Sequence, residues 1–440
     1  MALQSEIWYG PPPAREVDLA IVGAGAAGLW AARAAAARAA ASGAPLRILL
    51  LDGRRLVGAK ILMSGGTRCN LTHVVVSPDD YRGGNRNRIA RILRAHPSTE
   101  SLRIFTEEMN LPVEIEQSTG KLFPADNSAR SVLSALLNAV HNAGVTLVTD
   151  WKCDDLARYG AEWVLSGHDT DGVRHEPIRA RRVIVSTGGL SFPKTGSDGV
   201  GWQILRRLGH TIVAPMPALT PLALGGDLHA PLSGIALETQ LTLREDSRVT
   251  ARARGPMLWT HTGVSGPAAL DLSGHWARAH VDRPSVRLDV EASFLPDLTF
   301  EEVDADWLRA AERNAATTIQ SHYIALPHRL LTALAERAGA SASQRLSQTP
   351  RDLRRRVITE LTQHNLGVID VLGYLKAEVT SGGVPLEELD NALESRLLPG
   401  LHLAGEVLHV DGRLGGFNFQ WAWSAATVAG EGAIDRIRPA

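Results

Sequence analysis

Residues 17–28 read Val17-Asp18-Leu19-Ala20-Ile21-Val22-Gly23-Ala24-Gly25-Ala26-Ala27-Gly28. The first six form an apolar run suited to a buried strand. The next six are Gly23-x-Gly25-x-x-Gly28, and each glycine has a physical task. They allow a tight turn, close approach of backbone to a pyrophosphate, and close packing of helix on strand. The Ala-rich segment from Leu29 to Ala41 follows and is read as a helix, because alanine has the best helix propensity. Ser42-Gly43 ends it. The N-terminus of that helix, at Ala26, Ala27 and Gly28, offers free N–H groups and partial positive charge to phosphates. Arg47 to Leu51 is a second buried strand, closed by Asp52, Gly53 and Arg54. A carboxylate at the position of Asp52 accepts hydrogen bonds from ribose hydroxyls. Strand, glycine loop, helix, strand and acid in this order are read as a dinucleotide site rather than a simple tight turn.

Further along the chain no second GxGxxG follows a strand. One amino-terminal nucleotide fold with glycine motifs late in the chain favours FAD over NAD. The late motif is Leu401-His402-Leu403-Ala404-Gly405-Glu406, a strand ending at a glycine with an acid after it. Such an acid can hold the hydroxyls of a ribityl chain. Gly415, Gly416, Phe417 and Asn418 then lead into an apolar segment from Gln420 to Ala429. A helix N-terminus there would stabilise negative charge on the pyrimidine ring of a reduced flavin.

The whole chain of 440 residues is long enough for several domains and needs no disulfide or metal staple. Lys+Arg 46 against Asp+Glu 47 leaves a formal net charge of -1, so there is no global field for nucleic acid or anionic membranes. The two cysteines, Cys69 and Cys153, form no CxxC, which argues for a reducing compartment and against a dithiol or structural zinc centre. No metal site is expected. No signal peptide or membrane span is read in the sequence, so the cytoplasm is the expected location.

The middle of the chain differs in character. Residues 210–295 alternate apolar and polar over short runs, as in an antiparallel β unit, and 301–365 read as helical. Residues 85–145 also read as mostly helical, with an interruption around Lys121 to Asn127. The expected layout is a loose arm at 1–15 and a discontinuous dinucleotide domain at 16–195 and 370–440. A β-rich insert at 196–298 and a helical insert at 299–369 interrupt it. The fold class is α/β.

Gly58-Ala-Lys60-Ile-Leu-Met-Ser64-Gly65-Gly66-Thr67-Arg68-Cys69-Asn70-Leu-Thr72 resembles the GRKLLMSGGGRCNLT signature of the BaiN/RdsA-type (YhiN-like) bacterial NAD(P)/FAD-dependent oxidoreductases. Four further segments are similar to that family: Thr187 to Gly199, Thr260 to Pro267, Ala377 to Val384 and Ala404 to Trp423. The resemblance implies a glutathione-reductase-type, Rossmann-like FAD domain, with an inserted β-barrel-like domain and a small helical domain. It implies that Lys60, Ser64, Gly65, Gly66, Cys69 and Asn70 contact the flavin. Thr187, Gly188, Gly189, Gly405, Glu406, Gly415, Gly416, Phe417, Asn418 and Phe419 are implied beside them. The chain departs from the pattern at Thr67, where the family has Gly, and at His409, where it has Asp. Phe192 and Phe417 replace frequent tyrosines and remove two hydroxyls that could serve as proton donors.

Three residues are candidates for the chemistry itself. His261 is a suitable acid near neutral pH. Arg68 can hold an anion, and Lys376 can pair with a substrate or flavin oxygen. Cys69 is expected beside the cofactor, packed rather than reactive. Trp421 and Trp423 sit two apart on a helix, so they point about 200° apart. The expected activity is NAD(P)H-linked reduction of an enone-type C=C in a small apolar substrate, with NAD(P)H bound transiently. Nucleic acid is not expected as a partner, although the Arg354-Arg355-Arg356 run keeps an RNA-modifying or RNA-binding flavoprotein as an alternative. A flavin-bound protein without turnover is the third reading. Oligomeric state is not legible.

Overall fold

The structure, a computed structural model, describes residues 15–43 and 45–437. The arm expected at 1–15 therefore lies, except for Arg15, outside the described residues. Two compact units are present. One is built from residues up to Pro215 together with Glu378 onward, and the other is Met216–Ala377.

In the first unit β1 (Glu16–Val22) is the buried strand expected from its apolar run. It lies parallel to β2 (Ile48–Leu51), with Leu19 opposite Ile48 and Val22 opposite Leu51. Between them runs α1 (Ala26–Ala41), ending at Ser42. A short helix, α2 (Ala59–Met63), leads into the signature loop. After it come three strands, β3 (Thr72–His73), β4 (Val113–Glu116) and β5 (Lys121–Pro124), which form a small antiparallel sheet in the order β3-β5-β4. The interruption read around Lys121 to Asn127 holds β5, whereas β4 lies in a stretch read as helical and is a strand because it pairs with β5.

The main sheet gains β6 (Thr146–Val148), β7 (Lys152–Tyr159), β8 (Glu162–His168) and β9 (Ile178–Val185). Its strand order is β6-β2-β1-β9-β8-β7. Strand β9 lies parallel to β1 along one edge and serves two partners along the other. Its first half pairs antiparallel with β8, and its second half, Val183 to Val185, pairs parallel with a strand from residues 401–403.

The second unit holds a seven-stranded antiparallel sheet, four longer helices and several short ones. The strands are β10 (Leu222–Leu224), β11 (Ala236–Glu245), β12 (Arg248–Thr260), β13 (Gly263–Ser265), β14 (Leu288–Ser293), β15 (His364–Asn365) and β16 (Val368–Val371). They follow the order β15-β14-β11-β12-β13-β10-β16. Helix α3 (Pro267–Asp282) packs on this sheet. Helices α4 (Phe300–Arg313), α5 (His328–Ala338) and α6 (Arg351–Thr362) share one apolar core with it, through Trp307, Leu334 and Leu361. On β12 the pattern alternates, with Arg248, Arg252 and Arg254 exposed, while on β11 Leu241 and Leu243 are buried and Thr242 between them is buried as well.

The chain then returns to the first unit with β17 (Val379–Gly383), β18 (Leu401–Leu403, the partner of β9) and α7 (Phe417–Asp435). Helices α1 and α7 lie side by side. Their closeness needs small residues, because a β-carbon at Gly430 would sit 2.7 Å from the Ala31 carbonyl oxygen. That contact explains why α1 is alanine on nearly every face. Among the described residues no helix is long and apolar enough to cross a membrane.

Candidate functional site

The first unit gathers its glycine loops at the carboxyl ends of parallel strands. Gly23 follows β1, and its φ of +101° suits glycine. A β-carbon there would meet the Ser186 carbonyl oxygen at 2.8 Å. Ser186 Oγ donates to the Val22 and Gly23 carbonyls (both 3.0 Å), which ties the GxGxxG loop to the Thr187-Gly188-Gly189 loop after β9. Gly405, after β18, lies on the first turn of α1, where its β-carbon would sit 2.6 Å from the Ala27 Cβ. Loops following β1, β9 and β18 therefore share one edge, the place where open α/β sheets bind ligands.

Two helix ends open onto that arrangement. Helix α1 starts at Gly25 and α7 at Gly416, and neither has a side-chain cap or an acid in its first turn. Trp30 Nε1 donates to Thr427 Oγ1 (2.8 Å), and Arg38 pairs with Asp435 (2.6 Å). Contacts that rise together in both helices mean the two run parallel. Their positive ends thus point the same way, with α7 beginning roughly 9 Å earlier along the axis at 1.5 Å per residue. One pole precedes the other by a distance suited to an elongated, doubly anionic ligand.

Around these ends stand the side chains expected from the sequence. Asp52 accepts from the N–H of Ala24 (2.7 Å) and of Arg54 (2.8 Å). Burial pushes its carboxyl up, and those two N–H groups oppose the shift. Glu406 accepts from Lys60 Nζ (2.6 Å), Ser191 Oγ (3.0 Å) and the Thr380 N–H (2.8 Å). Lys60 Nζ also donates to Ser191 Oγ (2.5 Å). Ser191 and Thr380 were not singled out from the sequence, although both lie inside the similar regions. Thr380 Oγ1 accepts from the Leu190 and Ser191 N–H groups (2.8 and 3.0 Å), so β17 is clipped to the loop after β9.

The signature loop is held in an unusual backbone. Gly65, Gly66, Thr67 and Cys69 all have positive φ, of 55°, 66°, 72° and 58°. Thr67, which stands where the family has glycine, is a β-branched residue in the left-handed region. Cys69 is fully buried, and burial pushes its thiol up to about 12. It is therefore a packed thiol, not a nucleophile at neutral pH. Arg68 lies over the Phe123 ring (4.0 Å) with Nη1 3.6 Å from Glu116. Both tryptophans of α7 are buried: Trp421 donates to the Gly405 carbonyl (3.2 Å) and Trp423 to that of Leu71 (2.8 Å). Asn418 turns back to Gly412, donating to its carbonyl and accepting from its N–H. Phe417 is buried against His73 and Tyr81, and Phe419 stacks on Trp423.

Two candidates lie in the second unit. His261 is exposed in the turn between β12 and β13, and Lys376 is exposed at the end of the short helix Gly373–Lys376. The first unit by itself assembles the glycine loops, Asp52, Lys60, Arg68 and Glu406. Among the described residues no group of three potential metal ligands is present.

Observations of this structure fit a dinucleotide. A β-carbon at Gly25 meets nothing within 4 Å, which leaves room at the mouth of α1. Asn70 Oδ1 and Thr187 Oγ1 are buried without hydrogen-bond partners, one in the signature loop and one beside Gly188. Buried polar atoms without partners call for an explanation, and a ligand with hydroxyl and amide groups supplies one.

These features define a Rossmann-type α/β flavoprotein, an FAD-dependent oxidoreductase. Residues 17–432 match the family described as HI0933-like protein Rossmann domain, and the chain belongs to that family. It is 31% identical over 431 residues to the ribosomal RNA dihydrouridine synthase of Escherichia coli (strain K12), covering 95% of this chain and 98% of that one. It is 29% identical over 420 residues to a 3-dehydro-bile acid delta(4,6)-reductase of Clostridium scindens, covering 95% and 99%. A ribosomal RNA dihydrouridine synthase of Haemophilus influenzae is 29% identical over 413 residues, covering 92% and 96%.

Proposed function

We propose that this protein reduces a carbon–carbon double bond conjugated to a carbonyl group, with NAD(P)H as the electron source. The observation that carries the reading is the pair of parallel, uncapped, acid-free helix starts at Gly25 and Gly416. The names of the relatives support the reaction type, since dihydrouridine formation and delta(4,6) reduction both saturate a ring double bond. FAD supplies the hydride donor, at N5, when it is bound and reduced.

The chain's own residues bind and orient. The N–H groups at Ala26, Ala27 and Gly28 take the pyrophosphate. Asp52 accepts from ribose hydroxyls through lone pairs not used by Ala24 and Arg54, with Gly53 and Arg54 beside it. Lys60 and Ser191 fix the Glu406 carboxylate, whose remaining capacity faces the ribityl hydroxyls. Ser64, Gly65, Gly66, Cys69 and Asn70 form the wall opposite the loop of Gly188 and Gly189, and the start of α7 closes the ring end. His261, Arg68 and Lys376 are the candidates to supply a proton or hold the carbonyl oxygen, because Phe192 and Phe417 carry no hydroxyl.

A small enone-type substrate is the first reading of the acceptor. Uridine in ribosomal RNA is the second, favoured by the relative that is 31% identical along its whole length. The arginines of the second unit argue for the first reading. Arg354 is paired with Asp304 (2.8 Å), and Arg356 donates to the Ala338 carbonyl (3.0 Å). On the outer face of the sheet Arg244 pairs with Glu291, Arg254 with Asp297 and Arg287 with Asp289 (each 2.8 Å). Arginines paired in this way have fewer charges to offer phosphates and release fewer counterions on binding RNA, while Arg248 and Arg252 stay exposed.

The test is a purified protein that is yellow and releases FAD rather than FMN on denaturation. It should bleach anaerobically with NADH or NADPH. A colourless protein that takes up no FAD contradicts the reading. Salt-sensitive retention of ribosomal RNA at submicromolar protein would move the acceptor to the second reading.

A further inference from the structure

We propose that Lys121 is the counter-charge for the reduced flavin, an electrostatic residue that no motif in the sequence marks. The inference rests on the flavin reading above and adds a residue to it.

Lys121 opens β5, directly opposite both His73 on β3 and Glu116 on β4. Directly opposed residues share a face of a sheet. That face borders the start of α7, because the His73 ring stacks on Phe417 with centroids 5.0 Å apart. A β-carbon built on Gly415 would lie 3.8 Å from Lys121 Cε, so the lysine stem runs along the Gly415–Gly416 turn.

The neighbouring charges are otherwise accounted for. Arg413 lies over the Phe417 ring (4.3 Å), and its Nε is 2.7 Å from Asp80 Oδ1. Glu116 accepts from Thr119 Oγ1 (2.5 Å) and faces Arg68 at 3.6 Å, and the Lys121 charge across the strand pair also helps hold its carboxyl below the usual range. Among the described residues, the Lys121 ammonium makes no ion pair with any carboxylate.

For a bare helix this is the wrong arrangement. A positive helix end is stabilised by an acid, yet α7 has no acid in its first turn and no cap. A lysine is brought to it instead. Glu116, opposite Lys121, offsets part of the lysine charge, but the helix start has no acid of its own, so the two positive groups together favour a ligand that brings negative charge to the turn. The ligand must be anionic where it meets Gly415 and Gly416. Two-electron reduction of a flavin leaves negative charge on its pyrimidine ring, at N1 and the C2 carbonyl. A lysine and a helix start beside that ring would favour the reduced form.

The test uses the FAD-loaded full-length protein and two readouts apart from turnover. Sulfite adds to N5 of oxidised flavin and puts the same negative charge on the pyrimidine ring, so sulfite titration reports the counter-charge. Equilibration with a reference dye reports the ratio of reduced to oxidised flavin. Lys121→Met should weaken sulfite binding at least tenfold. It should also lower that ratio about tenfold at a fixed poise, which is roughly 30 mV for two electrons. Lys121→Arg should restore both. If Lys121→Met does not hold flavin, Lys121→Gln takes its place with the same expectation. Unchanged sulfite affinity and potential in a flavin-bound variant overturn the assignment while leaving the flavin reading intact. A wild-type protein that binds no FAD overturns both.

Discussion

Gly25 and Gly28 are both glycines of one motif, yet they differ in what a side chain would meet. At Gly28 a β-carbon would lie 1.7 Å from the Gly23 carbonyl oxygen, while at Gly25 it would meet nothing within 4 Å. Gly25 also has an ordinary φ of -81°. Gly25→Val should therefore fold with a melting temperature close to that of the wild-type apoprotein and fail to retain FAD, as read by absorbance after gel filtration. Gly28→Val should lower the apoprotein's melting temperature by several degrees, since backbone must move to admit it. Both tasks were legible in the GxGxxG spacing, which gives the middle glycine to the pyrophosphate and the last to helix packing, and the space around Gly25 and Gly28 agrees with that division. Thr67 offers the reverse experiment. A left-handed backbone costs a β-branched residue about 1–2 kcal/mol, so Thr67→Gly should raise stability by up to about 1 kcal/mol after the added chain entropy. Denaturant unfolding of the flavin-free protein measures it. Cys69 was expected to be packed rather than reactive, and it is fully buried; the left-handed backbone that carries it was not legible, because it is set by contacts made in three dimensions.

At the scale of elements, α1 and β1 were legible because propensity, periodicity and the glycine motif agree. Strand β7 was not. Its sequence, Lys152 to Tyr159, carries Asp154 and Asp155, residues depleted in strands. Only Cys153 and Leu156 are buried, and the strand exists because β8 pairs along it. Strand β4 has the same history, with Glu114 and Glu116 in a strand that forms against β5. The triple-arginine run reads as a basic patch only in one dimension. On α6, Arg354 and Asp304 are a largely buried pair, with side chains 14% and 23% exposed. Arg354→Ala leaves Asp304 without its partner and should destabilise the second unit by about 1–3 kcal/mol. The variant's retention on RNA, measured by filter binding at two salt concentrations, should not change.

The molecule as a whole should be sensitive to acid. Burial lowers His402 and His96 to about 4 each. Unfolded histidine takes up its proton near pH 6.5, so between about pH 6.5 and 4 the unfolded chain binds more protons than the folded one. Stability is then fully present above pH 6.5 and falls as pH drops, at up to about 1.4 kcal/mol per pH unit for each histidine. Burial alone would raise Glu394, but the Gly400 N–H, His402, Arg182 and Arg436 outweigh it and bring it to about 2. Its contribution is lost only below about pH 4. Melting temperatures should decline steadily from pH 7 to 4, and a flat profile would show that these histidines are solvated. That the first sheet draws strands from both ends of the chain was legible in the order of the motifs, with a GxGxxG at Gly23 and an Ala-Gly-Glu at Ala404. The parallel run of α1 and α7, and the offset of their starts, were not, because they depend on which faces the small residues bring together.

The central claim is transfer of a hydride from bound flavin to a conjugated double bond. The most direct measurement reduces the protein anaerobically with NAD(P)H, removes the excess, and adds a steroid 4-en-3-one while flavin absorbance is followed. The expected result is return of the yellow colour at a rate that rises with steroid concentration, with one saturated ketone formed per flavin. Reduced flavin that stays bleached with steroid enones and with uridine-containing ribosomal RNA alike, and recolours only with oxygen, would contradict it.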